Sequence, residues 1–360
     1  MSRISLRRLR QDPHIRALTR EARPHPEQFI QPLFVVEGIP AREDIPGLPG
    51  VYRDTPASLL AQIEADLAAG VSKFLLFGVP AAHATRDIDW SFTSGQIAAI
   101  RKRFGSKVWL AVDVCLCSAT PHGHCGVLNP EGDHLDNAAS VDELAAAALA
   151  YAKAGADCVA PSDMMDGRIA AIRQTLDDNG LERTVLMSYA AKFHSTFYGP
   201  FRVAADSAPK TASGLTDRSS YQIDPARPGD ALQSVERDVA EGADILMVKP
   251  GMPYLDVLAQ LSAQFPQPWA VYEVSGEYAS IELLAAQGLT DRVKAHREAW
   301  TGLVRAGASL VISYGARHAR EWLAACASRK IFSRAQSACR RVACIRRCVR
   351  SRAWAVRRAS

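Results

Sequence analysis

Eight short apolar runs, separated by helix-forming segments, constrain the fold of this chain more than any other feature. They are Gln31–Val36, Lys73–Gly78, Val108–Val114, Asp157–Ala160, Thr184–Tyr189, Asp244–Val248, Trp269–Val274 and Ser309–Ser313. Strands with one wet face alternate apolar and polar residues. These runs are nearly continuous in apolar residues, as strands buried on both faces should be. The segments LLAQIEADLAAG, VDELAAAALAYAKAG, ALQSVERDVAEG and REAWTGLVRAG are rich in helix formers and end in glycine. A glycine there supplies the left-handed residue that stops a helix before a strand. Repeated strand–helix–strand units form right-handed parallel crossovers. Eight of them predict an α/β fold, a (β/α)8 TIM barrel with an N-terminal arm; a doubly wound open sheet is the alternative. The expected division is an arm over residues 1–30, a barrel over 31–328 and a tail over 329–360.

The charge distribution supports that division. The formal net charge is +5, but the tail carries ten Arg, one Lys and no acidic residue, +11 in all, so the remainder carries 5 − 11 = −6. A mildly acidic body gives no reason to expect nucleic-acid binding. An Arg-rich end of low diversity reads as a disordered appendage. No apolar run is long enough to span a bilayer, and the basic N-terminus lacks the apolar stretch of a secretion signal. A soluble cytoplasmic protein, without membrane or nucleic-acid partner, is the expectation.

Chemistry concentrates after the strands, where barrel active sites form. Asp113–Gly126 reads DVCLCSATPHGHCG, with Cys115, Cys117 and Cys125 in C-x-C-x7-C spacing. Clustered thiols in a large chain of cytosolic character point to metal or catalysis before disulfides. Thiolates suit zinc, and three of them leave a fourth position open for water or substrate. His124 could fill that position, stand behind it, or serve as an acid or base. Lys192 in MSYAAKF and Lys249 in MVKPG follow successive strands. Partial exclusion of water and a neighbouring ammonium both depress an amine, leaving it free to attack a ketone. Tyr198–Gly229 is a long connection rich in Gly, Pro, Ser and Asp, the composition of a lid. It holds Arg202, Arg218 and Gln222, and arginine forks grip carboxylates. Ser275 and Tyr314 follow the last two strands and offer hydroxyls. Zinc, two amines and several carboxylate-binding groups suggest carbonyl condensation of a small acid.

Six segments in order carry a closer likeness: DVCLCSATPHGHCG, APSDMMDGR, MSYAAKFHSTFYGPFR, DRSSYQ, MVKPGMPYLD and YEVSGEY. From about Ile4 to Leu323 the chain resembles the porphobilinogen synthase (5-aminolevulinate dehydratase) family, zinc-dependent branch. The resemblance implies a lyase that condenses two 5-aminolevulinate molecules, with loss of two waters, in tetrapyrrole and heme biosynthesis. It implies that Lys249 holds the first-bound substrate as a Schiff base, on the P side, and that Lys192 engages the second, on the A side. Cys115, Cys117 and Cys125 correspond to zinc ligands, and Asp113 to an acid near the reacting amine. Arg202, Arg218 and Gln222 correspond to A-side carboxylate contacts, Ser275 and Tyr314 to P-side ones. The family assembles as octamers of arm-exchanging dimers, so a homo-octamer is expected.

The chain also departs from the family pattern. The lid segment PKTASGLTDRSS is a few residues longer than usual, and Arg86–Phe92 is shorter. Ser219 stands where a second basic residue commonly follows the lid arginine. Ser234 stands where many bacterial members carry a glutamate for an allosteric magnesium, so that site is not expected. The tail from about Arg329 matches nothing in the family. Competing readings are a lysine-dependent aldolase, which needs no thiol cluster; an inactive zinc-binding relative, against which both lysines stand; and a nucleic-acid-binding tail, which lacks interleaved aromatics beyond Phe332 and Trp354.

Overall fold

A computed structural model describes residues 6–210 and 215–324. Its centre is a closed barrel of eight parallel strands: β1 (Phe29–Val36), β2 (Lys73–Val79), β3 (Trp109–Val114), β4 (Cys158–Pro161), β5 (Val185–Lys192), β6 (Ile245–Lys249), β7 (Trp269–Glu273) and β8 (Leu310–Ser313). Each strand pairs with the next, and β8 closes on β1 through Phe29↔Val311 and Ile30↔Ile312. All eight runs singled out in the sequence are strands, and closure excludes the open sheet. The boundaries differ by one to three residues. The largest difference is at β5, which runs on through Ala190 and Ala191 to Lys192.

Inward and outward residues alternate along the strands. Phe34, Leu75, Phe77, Met187 and Met247 fill the barrel interior. Leu33, Val35, Leu76, Leu246 and Val248 face outward into the layer between strands and helices. Both faces are therefore dry, which is why each strand reads as an unbroken apolar run.

The outer layer is α1 (Pro56–Ala68), α2 (Ser91–Phe104), α3 (Asn137–Lys153), α4 (Arg168–Asp178), the short α5 (Gly199–Ala204), α6 (Gly229–Ala240), α7 (Leu255–Ser262), α8 (Ser275–Ala286), α9 (Arg292–Arg305) and α10 (Ala319–Ala324). Three of their starts are capped by side chains: Thr55 accepts from Ser58 N at α1, Asp136 from Ala139 N at α3, and Asp291 from Lys294 N at α9. The four glycines read as helix stops, Gly70, Gly155, Gly242 and Gly307, all take positive φ. Before β1, residues 6–28 hold only a six-residue helix, Pro13–Leu18, and two single 3₁₀ turns. The tail and part of the long lid, 211–214, lie outside the described residues.

Candidate active site

β5 and β6 pair out of step. Leu246 faces Ser188, but Val248 faces Ala191 and Lys249 faces Lys192, so β5 carries one extra residue between them. Such a bulge shifts side-chain phase by one. Ala190 and Ala191 consequently both lie in the outer layer, while Tyr189 lies in the interior. Lys192 is thereby opposite Lys249 on the inner face, and both are 4% exposed. The two lysines are register partners at the last rung of their strands rather than residues just beyond them.

Around them, one small cavity is lined by Asp113, Cys117, Lys192, Arg202, Arg218 and Lys249, joined by Ser162, Tyr198 and Phe201. Six of the eleven residues picked from the sequence thus share one chamber. Lys192 Nζ donates to the Ser162 carbonyl. Lys249 Nζ lies over four rings, at 4.2 Å from the centroid of Tyr272, 4.9 Å from Phe201, 5.1 Å from Tyr189 and 5.4 Å from Tyr198. Burial, reinforced by the Lys192 ammonium, lowers Lys249 from 10.5 to about 7, against the pull of Asp113. Burial in turn raises Asp113, offset in part by the two lysines.

The three thiols follow β3. Their Sγ atoms lie within 4.8 Å of one another, and Cys115 Sγ donates to Cys117 Sγ at 3.2 Å. Tetrahedral zinc with Zn–S near 2.3 Å needs sulfurs about 3.7–3.8 Å apart, so the cluster fits a thiophilic ion with little movement. Hydrogen bonds from Cys115 and then Cys117 hold the Cys125 thiol well below its usual value, so the cluster favours an anion. His124 is not part of it: Nδ1 faces Tyr221 Oη and Nε2 faces the Leu215 carbonyl, both at 3.2 Å. Among the described residues, that leaves three protein donors at the cluster.

The lid closes directly on this loop. Arg218, 4% exposed, donates to the carbonyls of Gly123 at 3.0 Å and Ser207 at 2.5 Å. Gly123 has φ +72°, and a Cβ there would sit 2.4 Å from the Ala208 carbonyl, so only glycine lets the lid approach. Tyr221 Oη accepts from Cys125 N at 3.3 Å.

Gln222, Ser275 and Tyr314 stand behind the chamber. Gln222 is buried with neither amide atom partnered, and lines an adjoining cleft with Tyr221 and Arg237. Ser275 Oγ donates to the Phe197 carbonyl and accepts from Phe201 N, at 3.2 and 3.0 Å. Tyr314 Oη accepts from Tyr272 Oη at 3.2 Å. One atom each of Asp113, Arg202 and Arg218, together with the Tyr189 hydroxyl, is likewise buried without a partner. The orphaned atoms of Asp113, Arg202 and Arg218, all lining the one chamber, mark a place built for a polar ligand. Sequence reasoning passed over Ser162 and the four rings around Lys249, although all five follow or lie in the strands that carry the chemistry.

Comparison with known proteins identifies the family. The profile of the delta-aminolevulinic acid dehydratase family matches residues 3–322. The chain belongs to the delta-aminolevulinic acid dehydratase family. The family's activity, porphobilinogen synthesis, is the activity of this chain, which makes it a lyase. The dehydratase of Mycobacterium tuberculosis strain H37Rv is 43% identical over 326 residues, 88% of this chain and 96% of that one. That of Bacillus subtilis is 39% identical over 327 residues, 88% and 97% respectively. The dehydratase of Toxoplasma gondii ME49, solved with its product porphobilinogen, superposes with a TM-score of 0.85 at 36% identity, covering 89% of this chain and 92% of that one.

Proposed function

We propose that the reaction runs through Schiff bases on Lys249 and Lys192 and depends on zinc held by Cys115, Cys117 and Cys125. The observation that carries it is the shared rung of the two lysines, with Lys249 lowered to about 7. A neutral Lys249 amine attacks the ketone of the first 5-aminolevulinate and expels water. Lys192 engages the second. Tyr272, Phe201, Tyr189 and Tyr198 keep bulk water from the Lys249 adduct. Asp113, facing both ammonium groups, holds the proton that a substrate amine must lose. Arg202, Arg218 and Gln222 bind the A-side carboxylate, and Ser275 and Tyr314 the P-side one. Two C5 molecules joined with loss of two waters give the pyrrole. Bound zinc would supply a Lewis acid beside the second substrate.

Borohydride added with substrate should fix adduct mass on the Lys249 peptide; labelling that persists unchanged in Lys249→Ala would overturn the assignment. Colorimetric detection of porphobilinogen with and without zinc tests the metal.

The same reading includes the arm, barrel and tail division at 1–30, 31–328 and 329–360, a cytoplasmic location and a homo-octamer. None of the helices among the described residues is long and apolar enough to cross a membrane. The arm supports assembly: Leu6, Leu9 and Leu18 are 68%, 55% and 73% exposed, apolar side chains suited to bury against a second copy. Sedimentation velocity gives the oligomer size.

A further inference from the structure

Behind Ser275 and Tyr314 lies a buried ionic cluster that no step above uses. Glu273, the last residue of β7, and His296 on α9 are both fully buried. His296 Nε2 is 2.8 Å from Glu282 Oε1 on α8, and His296 Nδ1 is 3.7 Å from Glu273 Oε1. The first distance is a hydrogen bond; the second is an ion-pair distance. The other Glu273 oxygen accepts from Trp300 Nε1 at 2.9 Å and from Ser313 Oγ at 2.5 Å. Ser313 Oγ in turn accepts from Gly315 N at 3.0 Å. Glu273 and Ser313 are register partners. The Glu273 carboxylate therefore fixes the backbone on either side of Tyr314, and Ser275 follows it by two residues.

A carboxylate this deep needs a counter-charge, and a protonated His296, 3.7 Å away, supplies one. Burial works against charge on His296, but the facing Glu273 and Glu282 outweigh it and raise the imidazole above its usual value. Tyr278 and Trp322 pack against the ring at centroid distances of 5.1 and 4.8 Å, faces that suit a cation. Arg292 completes the cluster by donating to Glu282 at 2.8 Å.

We propose that His296, clamped between Glu273 and Glu282, is a positioning residue that sets Ser275 and Tyr314 for the carboxylate of the P-side substrate. The proposal rests on the assignment of those two hydroxyls to that carboxylate. It makes recognition of the carboxylate, and not Schiff-base chemistry at Lys249, depend on His296.

The test compares two ketones trapped on Lys249 by borohydride. 4-Oxopentanoate has the substrate's ketone and carboxylate but no amine; 2-pentanone lacks the carboxylate. In His296→Gln and Glu273→Gln, which keep size and polarity, half-maximal labelling should need about tenfold more 4-oxopentanoate, the effect of one charge-assisted hydrogen bond. The 2-pentanone requirement should stay unchanged. Ser275→Ala and Tyr314→Phe should show the same split. An equal shift for both ketones, or none, in the His296 and Glu273 variants overturns the proposal. If Ser275→Ala and Tyr314→Phe still show the split, the carboxylate assignment survives that failure. If they too treat both ketones alike, the assignment falls and the proposal with it. Should His296→Gln not fold, Glu273→Gln decides.

Discussion

Lys249 owes its chemistry to what surrounds it. An amine lowered to about 7 is mostly neutral above that pH and mostly protonated below it. Borohydride labelling of Lys249 should therefore rise with pH through a midpoint near 7 and then level off. Lys192→Met removes the neighbouring ammonium, so Lys249 should rise and the midpoint should move to higher pH; a pH series of labelling by mass spectrometry reads both. Lys249→Ala should lower turnover by about three orders of magnitude or more, as loss of a covalent nucleophile does. The thiols act at the same scale. Because a metal displaces protons from them, binding should weaken in acid. A chelator should inactivate the enzyme, with zinc and not magnesium restoring it. Cys115→Ala/Cys117→Ala/Cys125→Ala should be inactive while its thermal midpoint stays close to that of the parent, since the barrel core does not pass through the cluster. Turnover retained in the metal-free protein would refute the zinc assignment.

Among the elements, the pairing of β5 with β6 has the sharpest consequence. Inserting one alanine between Ala191 and Lys192 would move Lys192 to the outer face, leaving Lys249 in place. Turnover should vanish while Lys249 still traps 4-oxopentanoate; an insertion variant that makes porphobilinogen would show that the phase of β5 is unimportant. This is also where sequence reading reached its limit. The strands are legible because both their faces are dry, and the six candidate residues that share the chamber because they lie at strand ends and in recognisable segments. The facing of Lys192 and Lys249 was not legible, since the bulge is a relation between two strands 57 positions apart at the lysines. The rings around Lys249 look in sequence like ordinary barrel filling. Glu273, Glu282 and His296 sit on three separate elements and meet only through packing.

For the whole molecule, the tail is the open region. The family match ends at residue 322 and the last described helix at Ala324. Truncation after Ser328 should leave turnover within about twofold of the full chain, because the family match ends before the tail and its Arg-rich composition has little apolar surface to bury. A large loss in turnover or thermal midpoint would mean that the tail docks on the barrel or supports assembly. Substituting Leu6, Leu9 and Leu18 by Ser should shift sedimentation toward smaller species, because those side chains are exposed in the single chain.

The loop that carries the thiols also supplies the carbonyl gripped by Arg218, and its Cys125 amide donates to Tyr221. Lid and thiol cluster thus share a common partner, and two equilibria that share a partner are thermodynamically linked. Any free energy that lid closure adds to metal retention, metal retention returns to lid closure. Metal release into a chelator should accordingly be slower from protein saturated with substrate analogue than from free protein, and the metal-loaded enzyme should hold that analogue more tightly by the same factor.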